Sequence, residues 1–177
     1  MIFIQLIFWL LILLIFHTYV LYPVILKLLP KKKLADDMVY QNSDDVPVVS
    51  VLMAAFNEEL IIEEKIRSVF NTSYPKEKLE VWIVSDNSSD PTNEIIKKLM
   101  KEFSSLNFIP FYNRQGKPKI INQLKDKALG SVLVITDANV IFDTDTLFNM
   151  VRHYRNEKVG LVDTHMINKG QKIEGIS

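Results

Sequence analysis

The stretch 47–70, PVVSVLMAAFNEELIIEEKIRSVF, decides the fold. Its first part, 48–56, is a short apolar run rich in β-branched residues, which predicts a buried strand. Its second part, 58–70, places apolar side chains at helical spacing, and we expect its charged side chains on the opposite face. The apolar side chains are Ile61, Ile62, Ile66, Val69 and Phe70. The passage from strand to helix is the first unit of an alternating pattern.

This alternation continues along the chain. Further strands are predicted at 79–84, 107–112, 131–136 and 159–167, and further helices at 91–103, 117–129 and 145–154. Pro110 places the strand at 107–112 on an edge of the sheet, because proline cannot donate to a central ladder. Strands that alternate with helices predict an α/β fold with a mostly parallel, doubly wound sheet flanked by helices.

Residues 1–29 form a separate apolar segment, which we interpret as a transmembrane anchor. The first Asp, Glu, Lys or Arg of the chain is Lys27. A helix over residues 2–22 alone spans about 31 Å, enough to cross the hydrocarbon core. Tyr19 and Tyr22 suit the headgroup level, and Pro23 is expected to bend or end the helix. A cleaved signal peptide fits poorly, because no basic segment precedes the run and no small-residue cleavage site follows it.

A linker is predicted at 30–46, basic at Lys31–Lys33 and acidic further on. By the positive-inside rule, these lysines place the rest of the chain in the cytoplasm, on the inner face of a plasma membrane. We therefore expect a single-pass protein in contact with membrane lipid, whose soluble domain occupies 47–177. The chain carries 21 basic and 21 acidic residues, and this balance argues against a nucleic-acid partner. It has no cysteine, which excludes disulfide scaffolds and thiolate metal sites.

Polar clusters follow the first four predicted strands, at the ends that meet on one rim of a parallel sheet, where such folds bind ligands. Neither a G-x-G-x-x-G turn nor a P-loop is present, so a dinucleotide or a P-loop phosphate site is not indicated. Asp137 and Asn139 could present two oxygens to a divalent cation, and Arg114 and Lys117 could neutralise a diphosphate. Asp86 could accept hydrogen bonds from a base or ribose. Each residue alone is equally compatible with a turn or a solvated helix start.

Four segments together resemble the family 2 glycosyltransferases of GT-A fold. They are VSVLMAAFNEE at 49–59, LEVWIVSDNSSDPT at 79–92, RQGKPKIIN at 114–122 and GSVLVITDAN at 130–139. The resemblance covers about residues 47–170 and, with the apolar N-terminus, points to membrane-bound members that make polysaccharides or glycolipids. It implies an inverting enzyme with a nucleotide-diphospho-sugar donor, a saccharide or lipid-linked acceptor, and a divalent metal, Mg²⁺ or Mn²⁺.

The resemblance also implies roles for individual residues. The donor-binding positions are Ala55, Phe56, Asn57, Glu58, Asp86, Arg114, Gly116 and Lys117. The metal-binding D-x-D motif matches Asp137-Ala138-Asn139, where a neutral amide replaces the second carboxylate and should lower the affinity for metal.

No catalytic residue is identified, because the carboxylate expected to act as general base belongs beyond Ser177. We therefore expect an incomplete GT-A domain. The leading hypothesis is a glycosyltransferase that transfers a sugar at the membrane. The alternatives are a nucleotide-binding module that transfers nothing and a membrane-tethered interaction domain.

Overall fold

The computed structural model describes residues 1–29 and 38–167. These residues divide into two compact units, Met1–Asp37 and Met38–Ser177. The division agrees with the change in composition near Lys27, where the charged part of the chain begins.

The first unit is one apolar helix built of α1 (Ile2–Phe16), a π-helical turn (His17–Leu21) and α2 (Tyr22–Leu28). The whole helix, Ile2–Leu28, has 27 residues and a mean hydropathy of 2.3, so it could span a membrane. The helix does not end at Pro23, one of the two outcomes expected from the sequence. A wider turn, in which the Tyr22 N–H bonds to the His17 carbonyl, precedes the proline and accommodates it. Lys31–Lys33 lie outside the described residues.

The second unit is a four-stranded parallel sheet with helices on both faces. Its strands are β1 (Val49–Ala55), β2 (Leu79–Asp86), β3 (Leu106–Phe111) and β4 (Val132–Asp137). Its helices are α3 (Ile62–Phe70), α4 (Thr92–Leu99), α5 (Lys117–Lys125) and α6 (Thr146–Val151). The strand order is β3-β2-β1-β4, which confirms the parallel α/β sheet and the edge position of the strand with Pro110.

The helices bury their apolar stripes on the two faces of this sheet. On one face α3, α4 and α6 contribute to a large core, in which Ile66 and Ile96 are fully buried against β1 and β2 side chains such as Val51 and Ile83. On the other face α5 packs Ile120 and Leu124 against the sheet. Since β1 is covered on both faces, its run is almost continuously apolar, as expected of a central parallel strand.

Residues 38–46 pack on this unit. Val39 and Val46 are buried, and the Tyr40 N–H donates to the Arg152 carbonyl at 2.8 Å. The Arg155 guanidinium adds a 2.6 Å ion pair with Asp44. The segment predicted as the acidic end of a linker therefore contributes apolar side chains to the α/β unit, while the predicted boundary at 46/47 stays a prediction.

The strand predicted at 159–167 does not form; this expectation was wrong. Its apolar side chains are solvent-exposed, with Leu161 81% and Met166 67% exposed. A strand is stable only where a neighbouring edge pairs with its N–H and C=O groups, and β4 pairs only with β1 in the described part of the chain. The predicted helices are present but shorter at one or both ends, because their terminal turns become 3₁₀ turns or loops.

Candidate functional site

The candidate site lies at the carboxyl ends of the strands, where the loops after β1 and β4 begin. The chain runs outward from β1 through β2 to β3 and then returns to place β4 on the other side of β1. This reversal is the topological switch point, where loops diverge and leave a crevice. Ala54 pairs with Asp137 across it, so the loops after β1 and β4 begin side by side.

Two asparagines turn the chain at the ends of β1 and β2. Asn57 has φ 55° and Asn87 has φ 65°, in the left-handed region that asparagine tolerates better than most residues. The Asn57 side chain also joins the two loops, because its carbonyl oxygen accepts the Ser89 N–H at 2.9 Å. The Asn57 N–H donates to the Ser88 hydroxyl at 3.1 Å. The two loops therefore form one hydrogen-bonded surface.

Glu58 lies where this surface faces β4. Its N–H donates to the Thr92 hydroxyl at 2.9 Å, which fixes the start of the turn that leads to α3. Partial burial raises the pKa of the Glu58 carboxyl, and the nearby charges of Asp90 and Asp137 raise it further. Negative charge therefore gathers at this part of the rim, the setting in which a bound cation is stabilised. Ala55 is buried at the end of β1.

The Asp86 carboxylate holds the loop that follows β3. It is buried, and its two oxygens accept the N–H groups of Gln115 at 2.6 Å and Gly116 at 3.0 Å. Gly116 has φ 81°, a conformation that favours glycine, and it leads directly into α5. In this structure Asp86 therefore shapes the loop that carries Arg114 and Lys117.

Arg114 joins this cluster to the loop after β1. Its Nε lies 3.3 Å from the Asp86 carboxylate, and its guanidinium carbon lies 3.6 Å from the centre of the Phe56 ring. A cation over an aromatic face at this distance is favourable. Phe56, Asp86 and Arg114, which are separate in the sequence, therefore form one cluster with an aromatic ring, a carboxylate and a planar cation.

A second cluster forms where β4 ends. The ammonium of Lys117, the first residue of α5, makes an ion pair with the Asp137 carboxylate, the last residue of β4. Ala138 is buried, and Asn139 is exposed beside Asp137. The structure thus places Lys117, Asp137 and Asn139 in one region of the rim. This region is next to the Arg114 cluster, because Gly116, which precedes Lys117, donates its N–H to Asp86.

Lys65 was missed by the sequence analysis, and the expectation that the charges of 58–70 face solvent was wrong at this position. Its side chain is fully buried beneath the loop after β4. Its ammonium donates to the Thr136 hydroxyl at 3.0 Å and to the Val140 carbonyl, and lies 3.6 Å from the centre of the Phe142 ring. Burial lowers the pKa of Lys65 to about 7, and the charge of Asp137 partly opposes this shift. The spacing of the residues indicates this burial, because Lys65 is three residues from Ile62 and four from Val69 and so lies on the same apolar face of the helix.

The side chains of the rim can bind a divalent cation only if a phosphate ligand supplies further oxygens. Among residues 1–29 and 38–167, no three His, Cys, Asp or Glu side chains are grouped as a metal site. Asp137 and Asn139 can offer one carboxylate and one amide oxygen. Mg²⁺ commonly binds through one or two carboxylates and completes its shell with phosphate oxygens and water, so the donor set fits a hard cation that arrives with a phosphate ligand.

The fold and its rim define an open parallel α/β domain with a polar crevice at the switch point. A family model described as Glycosyl transferase family 2 matches residues 50–175, so the chain belongs to glycosyltransferase family 2. The match confirms the resemblance drawn from the four segments and the glycosyltransferase class predicted from it. Roles of single rim residues toward a donor stay predictions.

The similar proteins are glycosyltransferases. The chain is 37% identical over 119 residues to a beta-monoglucosyldiacylglycerol synthase of Trichormus variabilis, a match that covers 66% of this chain and 25% of that protein. It is 32% identical over 122 residues to a poly-beta-1,6-N-acetyl-D-glucosamine synthase of Staphylococcus aureus, which covers 68% of this chain and 29% of that protein.

Among solved structures, the mannosyltransferase PcManGT of Pyrobaculum calidifontis, in complex with GDP-Man and Mn²⁺, matches with a TM-score of 0.66 and 32% identity, over 73% of this chain and 38% of that one. This likeness confirms the GT-A fold. The chain spans about a quarter to two fifths of the length of these proteins.

Proposed function

We propose that this chain binds a nucleotide-diphospho-sugar together with a divalent metal, as the donor-binding part of a membrane-attached glycosyltransferase. The observation that carries the proposal is the meeting of Lys117 and Asp137 at the switch point, next to the cluster of Phe56, Asp86 and Arg114. The charge of a diphosphate is neutralised by a basic side chain and by a metal ion that oxygen ligands hold. Here the basic side chain of Lys117 lies beside the candidate metal ligand Asp137.

The two clusters suggest how the donor lies. The nucleoside would lie by Phe56 and Arg114, whose flat groups can stack with a base, in the loop that Asp86 holds. The diphosphate would extend toward Lys117, and Asp137 and Asn139 would hold the metal. The complex of PcManGT with GDP-Man and Mn²⁺ supports this combination of ligands.

A bound Mg²⁺ or Mn²⁺ would neutralise the diphosphate and assist its departure from the sugar. In the proposed bound state, Lys117 would pair with a phosphate oxygen, and Asp137 would then be free to hold the metal. Since Asn139 has no charge, the site relies on the diphosphate for affinity, and we expect the metal and the nucleotide to bind cooperatively.

The acceptor is proposed to be a lipid-linked or saccharide molecule at a membrane surface. Two relatives are synthases of a glycolipid, beta-monoglucosyldiacylglycerol, and of a polysaccharide, poly-beta-1,6-N-acetyl-D-glucosamine. The helix Ile2–Leu28 is long enough to hold the α/β unit at the bilayer where such acceptors lie, and we propose that this unit faces the cytoplasm. Transfer also needs a general base that takes the proton of the acceptor hydroxyl.

Isothermal titration calorimetry on the full chain in detergent tests the donor site. GDP, UDP and their sugar conjugates are titrated with Mn²⁺ or Mg²⁺ and again with EDTA. At least one nucleotide should bind, more tightly with metal than with EDTA. A folded sample that binds none of them would refute the proposal.

The substitution Asp137→Ala tests the metal assignment. It should abolish the metal-dependent gain in nucleotide affinity, because it removes the only carboxylate of the proposed pair. Asp143→Ala is the matched control, an exposed aspartate six residues further on. Equal metal dependence in Asp137→Ala and the wild type would show that the metal binds elsewhere.

A further inference from the structure

The buried ammonium of Lys65 lies directly beneath the loop that carries Asp137 and Asn139. Lys65 belongs to α3, and its side chain has no exposed surface. Its Nζ donates to the Thr136 hydroxyl at 3.0 Å and to the Val140 carbonyl. Thr136 immediately precedes Asp137, and Val140 immediately follows Asn139. One buried group therefore binds both ends of the loop.

Further contacts hold the same loop against α3. The Phe142 ring lies over the ammonium, with 3.6 Å between Nζ and the ring centre. The Ser68 hydroxyl, one turn along α3 from Lys65, accepts the Phe142 N–H at 3.1 Å. The apolar side chains of α3 pack in the core and fix the helix there. Its contacts with the loop therefore fix the position of the loop at the rim.

Packing alone does not account for an ammonium at this position. A buried charge is costly unless every donor finds a partner, and an apolar side chain of similar length would fill the space without that cost. The partners that satisfy Lys65 all come from the segment 136–142 rather than from its own helix. The ammonium is thus matched to the loop.

We propose that Lys65 is a positioning residue, which holds the oxygens of Asp137 and Asn139 in the arrangement that a nucleotide-bound divalent cation requires. This inference rests on the proposed function, because it assumes a metal at that loop. Lys65 touches neither metal nor donor. It acts through the backbone and hydroxyl groups on both sides of the two ligands.

Loop positioning and charge predict opposite effects when Lys65 is replaced. Below its pKa of about 7, Lys65 carries a positive charge near Asp137, and removal of this charge by itself would strengthen metal binding there. Loss of the two anchors would instead weaken it. A weakened metal response in Lys65→Met therefore reports the position of the loop, and a strengthened one reports charge.

The test measures GDP and UDP affinity of the full chain in detergent at about pH 6, where Lys65 is charged, with Mn²⁺ and with EDTA, and takes the nucleotide that the wild type binds. In Lys65→Met the Mn²⁺-dependent gain in affinity should fall at least fivefold, while the affinity in EDTA stays within twofold. Thr136→Val removes one acceptor of Lys65 together with the 3.3 Å hydrogen bond that the same hydroxyl donates to the Asp137 carbonyl, keeps the charge of Lys65, and should lower the gain at least twofold. Thr72→Val is the control, since its buried hydroxyl donates at 2.9 Å to the Val69 carbonyl within its own helix end.

Each outcome decides the matter. An unchanged or larger Mn²⁺-dependent gain in a folded Lys65→Met chain overturns the positioning role and leaves the proposed function intact. If Lys65→Met does not fold, Thr136→Val decides, and an unchanged gain there overturns the role. If the wild type binds nucleotide equally with Mn²⁺ and EDTA, both the positioning role and the proposed metal site fail.

Discussion

Raising the pH from about 8 to about 9.5 should stabilise the α/β unit, because of the buried lysine in α3. Burial lowers the pKa of Lys65 from its ordinary 10.5 to about 7 in the folded chain. Between these two values the unfolded chain binds a proton that the folded chain has lost. The free energy of unfolding rises with pH wherever the unfolded state binds more protons, so stability increases across this window.

The size of the effect follows from the same shift. One proton of difference changes the free energy of unfolding by about 1.4 kcal/mol per pH unit, so the rise over the chosen range is about 2 kcal/mol. The upper limit of the range is set by Tyr74. Burial raises the pKa of the Tyr74 hydroxyl, so ionisation of this tyrosine in the unfolded chain begins to oppose folding at higher pH.

Urea unfolding of the full chain in detergent, followed at several pH values by tryptophan fluorescence, to which Trp82 contributes from the α/β unit and Trp9 from the apolar helix, measures this slope. Lys65→Met is the matched variant and should show a flat profile over the same range, since methionine does not titrate. A flat wild-type profile would refute the lowered pKa of Lys65. An equal slope in both proteins would assign the pH dependence to another group.

Two further perturbations test the architecture of the α/β unit, the first at the amino ends of the strands and the second at the rim. Gly130→Ala should destabilise the chain by about 2 kcal/mol in thermal unfolding, because overpacking costs that much in a tight site and the new Cβ would lie 2.5 Å from the Ser50 backbone nitrogen. Gly160→Ala, which meets nothing within 4 Å, should change stability by less than about 0.5 kcal/mol, and equal effects of the two substitutions would contradict the packing argument. Asp86→Asn should lower stability by about 2 kcal/mol and weaken nucleotide binding measured by calorimetry, because an amide cannot accept both N–H groups that the buried carboxylate accepts now. Wild-type affinity and melting temperature in this variant would show that Asp86 does not hold the 115–116 loop.

Local patterns in the sequence predict most of the fold. The first strand, its following helix and the later strand–helix units are each signalled by apolar spacing, and parallel pairing follows from their alternation. Pro110 indicates an edge strand, and β3 is at the edge. The strand expected at 159–167 fails because strand formation depends on a pairing partner, which apolar alternation within the segment does not supply.

The candidate site is predictable in its location and less so in its internal contacts. That Asp86, Lys117 and Asp137 lie on one rim follows from their positions after successive strands. Which groups pair does not follow, because it depends on loop conformations. The carboxylate of Asp86 accepts two N–H groups of the 115–116 loop, and Lys117 pairs with Asp137, contacts across 20 to 30 residues of sequence.

The sequence by itself determined the apolar N-terminal helix, the parallel α/β fold and the glycosyltransferase family, since periodicity, composition and local motifs carry that information. Only the tertiary structure decided that Lys65 is buried beneath the loop after β4 and binds it. Helical spacing places this lysine on the apolar face of α3, but only the packing of α3 against the loop after β4 provides the hydroxyl, carbonyl and aromatic ring that surround its charge. A buried charge depends on partners distant in sequence, and those partners meet only when the sheet has formed.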